Sequence, residues 1–417
     1  MKTHQILTLT VFIVTTMFFV SCGNNASDEK VPNFEIDEKE LLESIRGDGE
    51  PMGGNSDGNN ANQEKMDVPA GMLTAGEWSD LDGWDFWNAL MQREMYNDYQ
   101  EYWSFYPQHR YSVSIKDKNN LPLNNCTVEL KDHSGNVVWA SKTDNKGSAQ
   151  LWANLFKQEQ VDKADFSIFV SYEGQTHKIK KIISHSEGVN EYTIENQTAT
   201  ASANAADVFF VVDATGSMGD EIKFLKAEVK DVAHSVKNNN EGLSLQLGAL
   251  FYRDVDDDYV TRTAALSENL EETFNFMYAQ NADGGGDYPE AVSTALSEAI
   301  LQQPWRENAT TRILFVVLDA PPHYSKKELE KLHTIGQTAS EKGIKIIPIA
   351  ASGIDKDTEF LMRFYALATN GTYTFLTDHS GVGESHLEPT VGPYDIEQLN
   401  DLLIRVINEN LQQPLIQ

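Results

Sequence analysis

The carboxyl-terminal half of the chain predicts an α/β domain with a doubly wound, mostly parallel sheet, and the region before it predicts a β-sandwich. Amphipathic stretches such as Ile222 to Val236, with apolar residues three or four apart, indicate helices. Between them lie apolar runs typical of parallel strands that are buried on both faces. These runs are 208–212, 243–252, 313–318 and 344–350. From Arg110 to Glu195, apolar and polar residues alternate between turn-forming segments, which indicates the half-buried strands of a sandwich.

Composition excludes several classes of function. The 417 residues include 33 Lys and Arg against 63 Asp and Glu, so the net charge of −30 excludes nucleic acid as a partner of the whole chain. The two cysteines, Cys22 and Cys126, exclude a disulfide framework and a zinc site of several cysteines. The length predicts two or three domains.

Residues 1–21 are predicted to be a signal peptide, because Lys2 precedes a mostly apolar run from Ile6 to Val20 that is short for a membrane span. The stretch from Phe18 to Gly23 resembles a bacterial lipoprotein cleavage box, although Phe19 stands where leucine is usual. The resemblance implies an acylated Cys22 and a cell-envelope location, at the outer membrane, with the side undetermined. Ordinary signal cleavage and an uncleaved anchor are the alternatives.

Three segments follow before the α/β domain. Residues 22–69, rich in Asn, Asp, Glu and Gly, are predicted to be a disordered tether behind the lipidated cysteine. Residues 70–107 carry an aromatic stripe from Trp84 to Trp103 that predicts a helical segment packed on a neighbouring domain, with ligand stacking as the alternative. Residues 108–200 form the predicted sandwich of seven short strands. The stretch from Val113 to Trp152 resembles the carboxypeptidase-regulatory or transthyretin-like family, which implies a spacer or adhesion stalk.

The predicted site lies where the first buried strand of the domain 201–417 ends. Asp213, Thr215 and Ser217 alternate there on a turn that leads into a helix, and their three hard oxygens suit Mg²⁺, Mn²⁺ or Ca²⁺. Helix capping is the alternative for these residue types. Asp319 ends a later strand at the same sheet edge, and Asp287 follows a glycine-rich loop that allows close backbone approach.

These motifs together resemble the von Willebrand factor type A domain with its metal-ion-dependent adhesion site, on a Rossmann-like fold. The first motif is Asp213-x-Thr215-x-Ser217, the last is Asp319, and Asp287 stands where the family usually has a threonine. The segments YRDVDDDYVTR, ADGGGDYPEA and VLDAPPH resemble the hemicentin-like and bacterial lipoprotein branch. The resemblance implies a divalent ion whose open position accepts a carboxylate from a partner protein. A third aspartate near the ion is expected to bind it more firmly and to weaken that pull.

Other acidic and histidine-containing segments are interpreted as supporting structure. The loop from Asp254 to Asp258 lacks the glycine and the final carboxylate of an EF-hand and is predicted to be an exposed acidic loop. Glu290 is interpreted as a supporting or helix-start residue, and His323 as structural. The segment 369–391 is predicted to be an ordered surface loop before a closing helix, with a second ion site or a recognition surface as the alternatives.

The leading functional hypothesis is a lipid-anchored, metal-dependent protein-binding module without enzymatic activity. The sequence shows no nucleophile elbow and no Walker loop. A metal-assisted hydrolase that uses the same carboxylates with His323 as base is the second hypothesis. The third is a structural module in which the ion only stabilises the fold.

Overall fold

A computed structural model of the chain describes residues 69–196, 203–383 and 385–412, all within one compact unit. The predictions for the signal peptide, Cys22 and the tether up to residue 68 lie outside the described residues. The strands are β1 (Thr74–Trp78), β2 (Arg110–Asp117), β3 (Thr127–Asp132), β4 (Val137–Lys142), β5 (Ser148–Trp152), β6 (Phe166–Tyr172), β7 (Gln175–Lys178), β8 (Val189–Ile194), β9 (Ala203–Asp213), β10 (Ser244–Tyr252), β11 (Thr261–Ser267), β12 (Ala309–Leu318), β13 (Ile344–Ala350), β14 (Tyr373–Leu376) and β15 (Ile396–Gln398). The α-helices are α1 (Trp84–Met91), α2 (Glu94–Trp103), α3 (Gly219–Asn239), α4 (Leu270–Tyr278), α5 (Val292–Leu301), α6 (Lys326–Lys342), α7 (Lys356–Ala368) and α8 (Leu399–Leu411).

An eight-stranded sheet in the order β11-β10-β9-β12-β13-β14-β1-β15 organises the α/β domain. Five neighbouring strands, β10, β9, β12, β13 and β14, are parallel to one another. The strands β11, β1 and β15 are antiparallel to their neighbours. Every residue of β12 is buried, which explains the uninterrupted apolar run at 313–318, although Thr310, Thr311 and Arg312 at its start are polar. The predicted mostly parallel sheet is confirmed.

Helices cover both faces of this sheet because successive residues of β9 point to opposite sides. Val208, Phe210 and Val212 belong to a core cluster with apolar residues of α3, α4 and α8. Phe209 and Val211 belong to a second cluster with residues of α5, α6 and α7. The predicted stripe from Ile222 to Val236 is the buried face of α3. None of the helices described is long and apolar enough to cross a lipid bilayer.

The first strand of the sheet comes from the segment that was predicted to be helical. Residues 70–107 contain β1 as well as the helices α1 and α2, so the prediction of a wholly helical segment is wrong at its start. Glu228 of α3 holds the chain before β1, since its carboxylate accepts hydrogen bonds from the backbone nitrogens of Gly71, Met72 and Leu73 at 2.8, 3.0 and 3.2 Å. This carboxylate is buried, and burial raises its pKa.

The aromatic residues of this segment pack on α7. Trp87 stacks on Phe360 at 5.8 Å between ring centroids, and Phe105 stacks on Phe364 at 4.4 Å. Arg363 lies among them with 1% of its side chain exposed and forms an ion pair with Asp80 at 2.6 Å. The aromatic stripe is therefore a packing surface, and its rings form part of the domain core.

The residues between α2 and β9 form two smaller sheets, with the strand orders β5-β2-β8 and β4-β3-β6-β7. The pair β2–β8 is parallel and the remaining pairs are antiparallel. The seven strands are present as predicted, whereas their classification as a sandwich stays a prediction. The smaller sheets contact the α/β domain directly: Trp139 donates from Nε1 to Ser340 Oγ at 3.1 Å, and Asn124 donates to the carbonyl of Thr310 at 2.9 Å.

Candidate metal centre

Asp213 ends β9 and is completely buried. Its Oδ1 accepts hydrogen bonds from the backbone nitrogen and the hydroxyl of Thr215, at 2.9 and 2.8 Å. Its Oδ2 is buried and takes part in no hydrogen bond of good geometry with the described residues, although the Tyr252 hydroxyl lies near it. A buried carboxylate oxygen whose hydrogen bonding is incomplete is costly, so this atom suits a positively charged group or a further donor.

The hydroxyls of the first motif lie beside this carboxylate. The Thr215 and Ser217 hydroxyl oxygens are 3.4 Å apart, and Ser217 belongs to the 3₁₀ turn Gly216–Met218 that precedes α3. Neither this turn nor α3 has a side-chain cap hydrogen bond at its start. The arrangement therefore favours a shared oxygen cluster over helix capping for these residues.

Asp319 lies at the same edge of the sheet, directly after β12. The register pairs Val212 with Val317, so the two strands end side by side. Burial and then repulsion from Asp319 raise the pKa of Asp213 to about 7. Asp319 is itself buried. The structure thus brings Asp213, Thr215, Ser217 and Asp319 together, as the sequence predicts.

Glu290 is a further carboxylate that sequence reasoning placed only in a supporting role. Its side chain is buried, and burial followed by the charges of Asp213 and other nearby aspartates raises its pKa to about 9. Gly285, at φ +75°, lies between Glu290 and Thr215, where an added Cβ would come within 3.2 Å of Glu290 Oε1 and 3.3 Å of Thr215 Cβ. A glycine at this position lets the loop pass closely over the site. The motif Gly-Gly-Gly-Asp-Tyr-Pro-Glu was the available signal for Glu290.

Asp287 lies on the exposed part of the same loop. Its carboxylate makes none of the hydrogen bonds or ion pairs found among residues 203–383. The loop is instead held at Gly285, whose backbone nitrogen donates to Asp257 Oδ2 at 2.9 Å. The assignment of Asp287 as a metal ligand stays a prediction, and Glu290 is the buried carboxylate of this segment.

The acidic loop after β10 is tied into the same region. Asp254 is buried, and its Oδ1 lies 2.6 Å from Nε2 of His323, so the prediction of an exposed acidic loop is wrong for this residue. Asp257 Oδ2 also accepts from the Asp254 backbone nitrogen at 3.1 Å. Asp254, Asp257 and His323 therefore connect the β10, glycine-loop and β12 segments around the centre.

The loop 369–391 shows a separate pair. His386 donates to Asp378 Oδ1 from its backbone nitrogen at 2.8 Å, and its ring Nδ1 lies 2.8 Å from the same oxygen. These contacts lower the pKa of Asp378. The pair is a local tie in the later part of this segment. Residues 373–376, in contrast, form the buried strand β14 between β13 and β1, so the prediction of a surface loop is wrong for that part of the segment.

The donor set around Asp213 suits a hard divalent cation. Across the part of the chain that the structure describes, no three His, Cys, Asp or Glu side chains are arranged as a ready metal site. The predicted centre combines two carboxylates with two hydroxyls, and oxygen donors of this kind are those that Mg²⁺, Mn²⁺ and Ca²⁺ prefer. The incomplete hydrogen bonding of Asp213 Oδ2, which has only the Tyr252 hydroxyl as a nearby donor in the described part of the chain, and the raised pKa values of Asp213 and Glu290 fit an added positive charge.

Comparison with known proteins defines the class of this domain: residues 207–383 match the family model of the von Willebrand factor A domain, and this part of the chain is such a domain. The chain is 27% identical over 314 residues to the alpha-protein kinase vwkA of Dictyostelium discoideum, a match that covers 72% of this chain and 48% of that protein. It is 30% identical over 118 residues to a putative ariadne-like RING finger protein, R811, of Acanthamoeba polyphaga mimivirus, covering 28% and 11% respectively. The chain thus spans about half of the first relative and about a tenth of the second.

Among solved structures, an aerotolerance-related membrane protein from Bacteroides fragilis matches 49% of this chain and 98% of its own, with 13% identity and a TM-score of 0.32.

Proposed function

We propose that this protein is a cell-envelope lipoprotein that binds a protein partner through a divalent cation at its von Willebrand factor A domain. Domains of this class generally mediate protein–protein interactions. The observation that carries the proposal is the buried Asp213 carboxylate, whose Oδ2 has only the nearby Tyr252 hydroxyl as a donor among the described residues while the Thr215 hydroxyl and Asp319 lie beside it. Attachment through an acylated Cys22 at the outer membrane and the hemicentin-like or lipoprotein branch belong to the same proposal.

Charge favours a cation at this position. Asp213 and Glu290 are both buried, and within the described ranges neither forms an ion pair with a lysine or an arginine. Besides burial, Asp319 raises the pKa of both residues, and Asp213 also raises the pKa of Glu290. The site therefore places groups that can carry negative charge close together. A divalent ion would offset the charge of the ionised groups, whereas without an ion the raised pKa values leave Glu290 protonated and Asp213 only partly ionised at neutral pH.

The proposed ligands are Asp213, Thr215, Ser217 and Asp319, with Asp287 as the predicted contribution of the glycine loop. Mg²⁺, or Mn²⁺ or Ca²⁺ in its place, would supply an open coordination position for a carboxylate oxygen of the partner. Glu290 is a further buried carboxyl group beside these residues, and it would add negative charge when it is ionised. We therefore expect weaker attraction for an acidic partner side chain than at a site with fewer carboxylates, and a stronger hold on the ion.

Partner capture from envelope extract tests the proposal. The immobilised protein is incubated with extract in Mg²⁺ and in chelator, and the eluted proteins are identified. We expect capture that depends on the metal and is lost in Asp213→Ala, while Asp256→Ala, which removes an exposed aspartate nearby, retains it. Capture that is equal with and without chelator would contradict the proposal. A loss of capture that is matched by a lower Tm in Asp213→Ala would instead favour a purely structural ion.

A second candidate function is metal-assisted hydrolysis, which one observation favours. The 2.6 Å contact between His323 Nε2 and Asp254 Oδ1 orients the imidazole, and the His323 backbone nitrogen donates to the Glu290 carbonyl at 3.4 Å. A carboxylate that orients a histidine is a common part of general-base chemistry. Turnover of phosphoester or peptide libraries that requires Mg²⁺ and is lost in His323→Gln would establish this function and overturn the proposal of a non-enzymatic module.

A further inference from the structure

A cleft of about 490 Å³ lies beside Arg110, the first residue of β2. It is bounded by β2, β5, the turn before α1 and the 3₁₀ turn at His185–Glu187. Its apolar lining comes from Leu81, Trp84, Phe86, Val113 and Val189. A neighbouring cavity of about 230 Å³ shares Arg110 and Gln150 with it. The space is therefore large enough for a small organic molecule and has both apolar and polar walls.

Arg110 is a buried arginine that lacks ion-pair contact with a carboxylate in the described part of the chain. Among the described residues, four arginines are buried: Arg110, Arg253, Arg312 and Arg363. Arg363 pairs with Asp80 at 2.6 Å, whereas Arg312, like Arg110, has no ion pair with another described residue and donates from Nε, Nη1 and Nη2 to backbone carbonyls and to Asn125 Oδ1. Arg110, only 5% exposed, forms no ion pair with any carboxylate of the described residues. Burial lowers its pKa to about 10, so it remains charged at neutral pH.

The hydrogen bonds around Arg110 leave two donors for a ligand. Its Nε donates to Gln150 Oε1 at 2.9 Å and its Nη1 to the carbonyl of Leu81 at 3.0 Å, while its Nη2 takes part in no hydrogen bond found in the described ranges. Gln150 Nε2 also takes part in no hydrogen bond found in the described ranges. Arg110 and Ser112 both donate to the other end of this amide, Gln150 Oε1. Both side chains line the cleft.

Neighbouring groups fix this arrangement. Ser112 Oγ donates to Gln150 Oε1 at 2.8 Å, so it accepts from Nδ1 of His185 at 2.7 Å. His185 Nε2 is then an acceptor for Arg110 Nη1 at 3.3 Å, which makes His185 neutral. The Trp84 ring centroid lies 4.6 Å from the guanidinium carbon, and this contact holds the arginine in place. The cleft is thus built around one positive charge that no carboxylate of the described residues contacts at ion-pair distance, although burial, which lowers the pKa of Arg110, is partly offset by the charge of the exposed Asp82 acting through space.

We propose that this cleft binds an organic monocarboxylate, with Arg110 as its charge partner and the aromatic wall as the contact for its apolar body. Buried charges in proteins are generally paired, and a ligand carboxylate would supply the missing partner. A single arginine matches a single negative charge. The exposed Asp82 and Asp85 at the rim disfavour a dianion such as a phosphate group. The carboxylate could belong to a free small molecule or to a polypeptide carboxyl terminus, since both present the same group.

The test compares N-acetylphenylalanine with its uncharged carboxamide, by calorimetry and by the NMR signal of the Trp84 indole in the purified full chain. We expect the carboxylate to bind with a Kd of about 1 mM and the amide to bind at least about tenfold more weakly. A tripeptide that ends in phenylalanine, with free and amidated carboxyl termini, distinguishes the two sources. If the free-acid tripeptide binds about tenfold more tightly than N-acetylphenylalanine, the ligand is a polypeptide carboxyl terminus. If the two acids bind with equal affinity, the ligand is a small carboxylate. Equal binding of acid and amide, or no binding up to about 10 mM, would overturn the proposal.

Two variants separate binding from a structural role of Arg110. Arg110→Gln is expected to abolish the preference for the acid over the amide. Gln150→Glu places a carboxylate where Gln150 Oε1 now lies 2.9 Å from Arg110 Nε. The new carboxylate should form an ion pair with Arg110 while the protein stays folded. We expect Gln150→Glu to raise the Tm and to lose carboxylate binding, whereas Asp85→Asn at the rim keeps it or strengthens it. Unchanged carboxylate binding in folded Gln150→Glu would contradict the assignment of Arg110.

Discussion

Replacing Asp213 with asparagine should stabilise the metal-free protein, although it removes a residue at the centre of the site. Asparagine keeps the Oδ1 acceptor for the Thr215 nitrogen and hydroxyl, so the change removes mainly a charge. Burial and Asp319 raise the pKa of Asp213 from 3.8 to about 7. A raised pKa means that the folded state binds the proton more tightly than the unfolded state. Stability from this group is therefore complete below pH 3.8 and is lost as the pH rises through about 7.

The magnitude follows from that difference. At about 1.4 kcal/mol per pH unit, the ionised Asp213 costs the metal-free protein at most about 4 kcal/mol at pH 8. Asp213→Asn should recover much of this free energy of unfolding at about pH 8 and little of it at about pH 4. Mg²⁺ at about 100 times its Kd should stabilise the wild type by about 2.7 kcal/mol and leave Asp213→Asn unaffected.

Urea unfolding in chelator and in Mg²⁺, at both pH values, measures these differences. Asp256→Asn serves as the matched control, because Asp256 is an exposed aspartate in the neighbouring loop. The control should follow the wild type under all conditions. If Asp213→Asn is less stable than the wild type at about pH 8 without metal, or if it gains equally at both pH values, then the buried charge is not the source of the effect and the reasoning fails.

Three further substitutions test other parts of the molecule. The free energy of unfolding of the metal-free wild type should fall between about pH 5 and about pH 9, because the pKa of Glu290 is raised to about 9, and this fall should be smaller in Glu290→Gln. Urea unfolding measures it, and an unchanged pH profile would contradict the expectation. Arg363→Met leaves the Asp80 carboxylate buried without its partner and should lower the free energy of unfolding by about 3–5 kcal/mol, with recovery on adding Asp80→Asn; no recovery in the double variant would show that the ion pair is not the cause. Glu228→Gln weakens three hydrogen bonds and should cost about 1–3 kcal/mol while speeding amide exchange at residues 71–73, and unchanged exchange there would refute this anchor.

Asp213 and Asp319 could be predicted because each directly follows an apolar run that forms a central parallel strand. Strands of this kind end at one edge of the sheet, so residues far apart in the chain meet there. Glu290 could not be assigned in the same way. Its burial depends on the glycine loop that turns back over Thr215 and on a β-bridge with Pro322, and neither contact leaves a periodic pattern.

Two other features escaped prediction because their causes are distant contacts. β1 is five residues long, and its partners β14 and β15 lie at residues 373–376 and 396–398, almost at the other end of the chain. Asp254 sits among other aspartates, a composition typical of a solvated loop, yet it is buried by its contact with His323. Local sequence records the tendency to form an element, whereas the partner that buries it is set by the fold.

Anomalous diffraction from crystals grown with Mn²⁺ locates the proposed cation. We expect one strong peak with oxygen atoms of Asp213, Ser217 and Asp319 at about 2.1–2.3 Å, and with Thr215 in direct or water-mediated contact. The same map shows whether Asp287 or Glu290 supplies the additional carboxylate. Side chains that stay in their metal-free positions around empty density, or a peak bound elsewhere on the acidic surface, would contradict the account.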